Sequence, residues 1–185
     1  MVNRIVCAGL LLLLILSVSP AAGQSRAQNK AEEYYSIEGD VNVWTTAPVL
    51  RQKTGMSPEL LKMRFGRHRD FDRIVYELDG EPIGYYITYS EPPFQGEASE
   101  DVTKVRGKAF VEIALYPVVA SDENLNASER LLAQQNKIRM PLIREVQTIE
   151  WFEAELRHVV GLRRRTPFRV QVFSNPTRLV VDFRH

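Results

Sequence analysis

The sequence predicts an all-β fold, an antiparallel β-sandwich of about seven to eight strands. Three observations predict it. Apolar and polar residues alternate with period two in a series of short runs, the pattern of strands with one buried face. Gly, Pro and Asn punctuate the chain between those runs. No regular helical pattern separates successive runs, which excludes a Rossmann-like alternation of strands and helices.

Each element follows in order. Residues 1–23 read as a cleaved secretory signal: Arg4 supplies a positive start, residues 10–16 are an unbroken apolar run, and Ser19-Pro20-Ala21-Ala22-Gly23 is a small-residue exit. Cleavage is placed after Gly23, with Ala27 as the alternative. The apolar run is shorter than the roughly 20 residues a spanning helix needs. An uncleaved signal is therefore the one expected route to the membrane. Residues 24–60 form an N-terminal linker carrying one candidate extra strand around Val41, Val43 and Trp44. Within it, Ser57-Pro58-Glu59 resembles a helix start, with Leu60, Leu61 and Met63 on its apolar side.

The domain proper is expected over residues 61–185. Ile74, Tyr76 and Leu78 fall on one side of a strand. After the turn Gly80-Glu81-Pro82, Ile83, Tyr85, Ile87 and Tyr89 alternate along a second, the two forming a hairpin. Val111, Ile113 and Leu115 mark a third strand, which Pro117 stops. Residues 124–137 are an insert, read as one short helix or a long loop. Residues 143–149 are a strand, and Trp151-Phe152 begins a turn. Residues 156–162, 168–173 and 178–183 complete the set. The segment from Phe71 to Leu78 echoes that from Asn175 to Phe183: turn, Arg, aliphatics, then an acid.

Composition removes several classes. The net charge is +1. Loss of Arg4 with the signal leaves basic and acidic residues in equal number. Nucleic acid is therefore a poor partner. The single cysteine, Cys7, lies inside the signal, so no internal disulfide and no cysteine zinc site is expected. His68, His158 and His185 are far apart in sequence, and no metal or cofactor is expected. Asp122-Glu123-Asn124-Leu125-Asn126 lacks the glycine and spacing of a calcium loop. No nucleophile elbow or Walker loop occurs.

Three blocks carry a family resemblance. They are Gly66-Arg67-His68-Arg69-Asp70-Phe71-Asp72-Arg73-Ile74-Val75-Tyr76-Glu77-Leu78, Val160-Gly161-Leu162-Arg163-Arg164-Arg165-Thr166-Pro167-Phe168-Arg169-Val170, and Asn175-Pro176-Thr177-Arg178-Leu179-Val180-Val181-Asp182-Phe183. In this order the chain resembles the AMIN-like domains of exported bacterial proteins, relatives of the AMIN modules. It departs from them at residues 124–137 and 150–158. The resemblance implies a β-sandwich, an envelope location in the periplasm or at the cell surface, and a non-catalytic role. AMIN modules are associated with targeting amidases and secretins and with binding peptidoglycan.

The candidate ligand-binding residues are Arg67, His68, Arg73, Tyr86, Arg163, Arg165 and Arg178. Arg73 and Arg178 recur in the blocks beside Asp72 and Asp182. An arginine fork either ties a strand to a carboxylate or meets a ligand carboxylate. Arg163-Arg164-Arg165 is the densest basic stretch, read as a solvated turn or an anion-binding edge. Tyr86 is the outward-facing tyrosine of its strand, since Tyr85 and Tyr89 share the inward side. Asp70, Asp72, Glu77 and Asp79 offer paired carboxylates of the kind glycan hydrolysis uses, although arginines adjoin them. The leading function is a non-catalytic envelope-binding module for peptidoglycan or an envelope protein. A protein-docking domain is the alternative, and a small envelope glycan hydrolase a remote one.

Overall fold

The computed structural model describes residues 42–52, 55–97, 101–119 and 140–185. The expected signal, the linker up to residue 41 and the insert at 124–137 lie outside the described residues. Among these there are eleven strands and no helix. In chain order they are β1 (Val49–Arg51), β2 (Glu59–Arg67), β3 (Phe71–Asp79), β4 (Gly84–Ser90), β5 (Phe94–Gln95), β6 (Val102–Thr103), β7 (Ala109–Tyr116), β8 (Ile143–Phe152), β9 (Glu155–Leu162), β10 (Phe168–Phe173) and β11 (Thr177–Arg184). Eight of them have six residues or more.

The long strands form two antiparallel sheets arranged as a sandwich. One has the order β1-β4-β7-β9-β8, the other β10-β11-β3-β2, and β5-β6 is a small separate ribbon. The hairpin expected of β3 and β4 does not form: the turn at residues 80–82 carries the chain from one sheet to the other, where β3 pairs with β2 and β11 and β4 with β1 and β7. Alternation decides what lies between the sheets. Ile74, Tyr76 and Leu78 of β3 and Leu179, Val181 and Phe183 of β11 are buried from one side. Tyr85, Ile87, Val111, Ile113, Leu115, Val160 and Leu162 are buried from the other, and all join one core cluster. Each such large side chain contributes about 1.5–3 kcal/mol on burial.

The helix expected from residue 57 is instead the strand β2. The pairing of β2 with β3 shifts register between Leu60 and Lys62. That bulge puts Leu60 and Met63 both in the core. Their spacing of three copies the helical period, so the strand reads as a helical turn. The turn expected at Trp151-Phe152 falls two residues later. Strand β8 runs through Phe152, and Glu153 and Ala154 make the hairpin with φ of 48° and 62°. Two successive positive φ values match the twist of the flanking strands.

The segment ahead of β2 joins the two sheets. Thr45 exchanges backbone hydrogen bonds with Phe168 of β10, while β1 pairs with β4. Val49 is fully buried in the core.

Candidate functional site

The outward residues of the four-stranded sheet are set by the register of β3 with β11. Arg73 lies opposite Asp182, and Glu77 opposite Arg178. The two strands that echo each other in sequence are thus antiparallel neighbours. In each, the arginine precedes its acid by four residues, so antiparallel pairing sets each arginine against the other strand's acid. Asp182 is fully buried and accepts from Arg73 Nε at 2.6 Å and Nη2 at 2.9 Å, and from Arg169 Nε at 2.8 Å. The Asp182 hydrogen bonds and charge push Arg73 above the ordinary guanidinium pKa, against the opposing effect of burial. Of the pairs foreseen within the blocks, Arg73 therefore takes Asp182 of the neighbouring strand in place of Asp72, and Arg178 does not pair with Asp182.

Aromatic rings surround this carboxylate-arginine group. The Arg169 guanidinium sits 4.6 Å from the Trp44 ring centre and 5.1 Å from that of Phe71. Arg73 is 5.0 Å from Phe71, and Arg184 is 5.9 Å from Trp44. His68 stacks on Phe71 with ring centres 4.4 Å apart. Farther along the same face, Arg178 lies 5.3 Å from the ring centre of Phe173. Of the seven candidate residues, His68, Arg73 and Arg178 thus share one sheet face. Arg67 does not join them. It is exposed and pairs in register with Asp72, on the alternate side of its strand from Arg64 and Gly66.

Asp72 points inward and is fully buried. Its Oδ2 accepts the amides of Leu142 at 2.7 Å and Ile143 at 2.9 Å, and its Oδ1 lies 2.9 Å from His185 Nε2. It joins the start of β3 to the start of β8, one sheet to the other. The carboxylates of residues 70–79 do not share a cleft. Asp72 is inside the sandwich, Glu77 is outside and bonded to Arg64, and Asp70 is exposed beside Arg69. The three histidines stay apart as well. His158 is a core residue whose ring bonds Tyr76 and Thr148. Among the described residues no group of His, Cys, Asp and Glu is arranged to hold a metal ion.

The other candidates lie elsewhere. Tyr86 lines a groove of about 440 Å³ on the outside of the five-stranded sheet, with Tyr116, Glu97, Glu112, Glu155 and Arg157. Arg157 bonds Glu112 and Glu150. Burial chiefly, and the repulsion of Glu97, Glu150 and Glu112, raise the Glu155 pKa against the pull of Arg157. The groove is lined by three glutamates and one arginine, the opposite charge balance to the arginine face. Arg165 lies over the Tyr89 ring at 3.9 Å. The Tyr89 hydroxyl donates to the Thr166 carbonyl at 2.5 Å and accepts its amide at 2.8 Å. Arg163 turns away from Arg165 and lines a recess of about 490 Å³ with Arg106, Gly107, Lys108, Arg144 and Leu162.

Comparison with known families matches residues 58–185 to the AMIN-like domain. The chain belongs to the AMIN-like domain family. No curated protein and no solved structure matches it. AMIN-like domains are generally non-catalytic binding domains and typically exported domains of the bacterial envelope. The AMIN-like match begins after Trp44, so the ring that covers Arg169 and Arg184 is contributed from outside it.

Sequence reasoning missed Trp44, Arg169 and Arg184 as members of the arginine face. Period-two alternation places Arg169, Arg184 and Asp182 on outward positions once the strands are paired, so a signal existed for those two. Trp44 gave none, because no local spacing links it to Arg169 and Arg184. The residues of the recess come from positions 106 to 163 and share no local motif.

Proposed function

We propose that this AMIN-like domain is a non-catalytic module that binds a cell-envelope component in the periplasm or at the cell surface, with peptidoglycan the first candidate. One observation carries the reading. A single sheet face presents His68, Arg73, Arg169, Arg178 and Arg184 beside Trp44, Phe71 and Phe173. Peptidoglycan offers apolar C–H faces of sugars and carboxylates of peptides. Aromatic rings suit the former, and planar guanidinium forks suit the latter. Arg73 and Arg169 are spent partly on Asp182, so their positions are held before a ligand arrives. Arg178 and Arg184 bear no carboxylate partner among the described residues and are the residues that would meet a ligand.

Co-sedimentation of the chain with purified sacculi, at low and at moderate salt, tests this. Pelleting is expected at both salts and is expected to weaken several-fold in Arg178→Ala with Arg184→Ala. Pelleting at low salt alone would mark diffuse electrostatics. No pelleting at either salt overturns the reading and moves the search to an envelope protein as partner.

A further inference from the structure

We propose that the recess at the start of β7 and β8 and the end of β9 is a second binding site, for a ligand carrying two linked phosphate groups. It differs in place and chemistry from the arginine-aromatic face. Its walls hold four cations, Arg106, Lys108, Arg144 and Arg163. The adjoining carboxylate is Glu145, which accepts the Arg106 amide at 2.6 Å and its Nε at 3.2 Å. Lys108, Arg144 and Arg163 have no hydrogen-bond or ion-pair partner of their side chains among the described residues. Four like charges gathered around one cavity repel one another, and an anion relieves that repulsion.

The recess is built by the backbone rather than by mobile side chains. The loop before β7 crosses β9 at Gly161, where a Cβ would stand 2.2 Å from the Arg106 carbonyl oxygen. Only glycine allows that approach. The Lys108 amide donates to the Leu162 carbonyl at 2.7 Å, and the Arg163 amide to the Leu142 carbonyl at 3.0 Å. Glu145 fixes the remaining corner through Arg106. The cations therefore stand on a frame that costs little to organise.

The volume of about 490 Å³ lies within the range of small-ligand sites, roughly 300–1,000 Å³. It exceeds what one simple anion fills. A lone carboxylate brings one negative charge to a site with a surplus of three positive ones. A diphosphate brings several within one short group, and its tetrahedral oxygens accept paired donors from each guanidinium, with Lys108 as a point charge.

Titration calorimetry with inorganic pyrophosphate, in about 0.15 M salt to suppress diffuse attraction, tests the proposal. One saturable site per chain is expected. The Lys108→Ala/Arg144→Ala pair is expected to lose affinity about tenfold or more, because each charge-assisted hydrogen bond is strong. Arg178→Ala is expected to bind as the native chain does. Both altered side chains are exposed, and an unchanged melting temperature checks that the pair still folds. A second arm uses vesicles with anionic phospholipid. Capture lost in the same pair assigns the phosphate to a lipid head group, whereas pyrophosphate binding without vesicle capture assigns it to a soluble or polymer-borne source. Absence of saturation, native affinity in the Lys108/Arg144 pair, or an equal loss in Arg178→Ala overturns the proposal. Sacculus pelleting does not decide it, since that assay reads the other face.

Discussion

His158 stands fully buried between the sheets, and burial lowers its pKa to about 4. The Tyr76 hydroxyl, itself pushed well above its ordinary pKa by burial, is hydrogen-bonded with Nδ1, and Thr148 Oγ1 with Nε2, both at 3.1 Å. The neutral ring satisfies both contacts, since each hydroxyl can donate or accept. The unfolded ring takes a proton near pH 6.5 and the folded ring does not, so the unfolded state binds more protons as pH falls. The stability is whole above pH 6.5 and declines below it, by about 2 kcal/mol at pH 5. Urea unfolding at pH 7.5 and pH 5 checks this, with His158→Gln expected to lose most of the difference. Asp72 works differently. Its carboxylate is the acceptor for two buried amides and a ring nitrogen, and Asp72→Ala leaves both amides unsatisfied. The expected cost is about 3 kcal/mol in denaturant unfolding.

At the scale of elements, the hairpin between β8 and β9 carries its own correction. Ala154 sits at a φ of 62°, a conformation that favours glycine. Ala154→Gly is expected to raise stability by about 0.5–1 kcal/mol, read as a higher urea midpoint with unchanged slope. Gly161 is the opposite case. Gly161→Ala forces the Arg106 loop away and is expected to cost at least about 2 kcal/mol and to lower pyrophosphate binding with it. Strand β3 was legible because its burial alternates residue by residue. Strands β7 and β11 were legible because Val111, Ile113 and Leu115, and Leu179, Val181 and Phe183, recur at period two, although β11 is buried on its other side as well. Strand β2 was not, since its bulge brings Leu60 and Met63 inward at a helical spacing. The arginine face was legible in part: His68, Arg73 and Arg178 sit in the three blocks, whereas Trp44 reaches it only through tertiary packing. The recess was represented by Arg163 alone. Its other cations approach through strand pairing, and separations of tens of residues hide that from any local pattern.

At the scale of the molecule, the segment from Trp44 to Arg51 decides how the sandwich is closed. It touches β10 of one sheet and β4 of the other, although the family match starts only at residue 58. A chain begun at residue 56 would lose Val49 from the core and bare the edge of β4. We expect it to be less stable by at least about 2 kcal/mol and to associate through that edge. Thermal unfolding and light scattering of the shortened chain check both.

The placement of the two tryptophans has an optical consequence. Trp151 packs against the core, whereas Trp44 lies among the guanidiniums of Arg169 and Arg184. Replacing Trp151 with phenylalanine leaves a single indole on the arginine face. Its emission then becomes a label-free gauge of that face, responsive to any sugar or carboxylate that displaces water there and silent to an anion held in the recess.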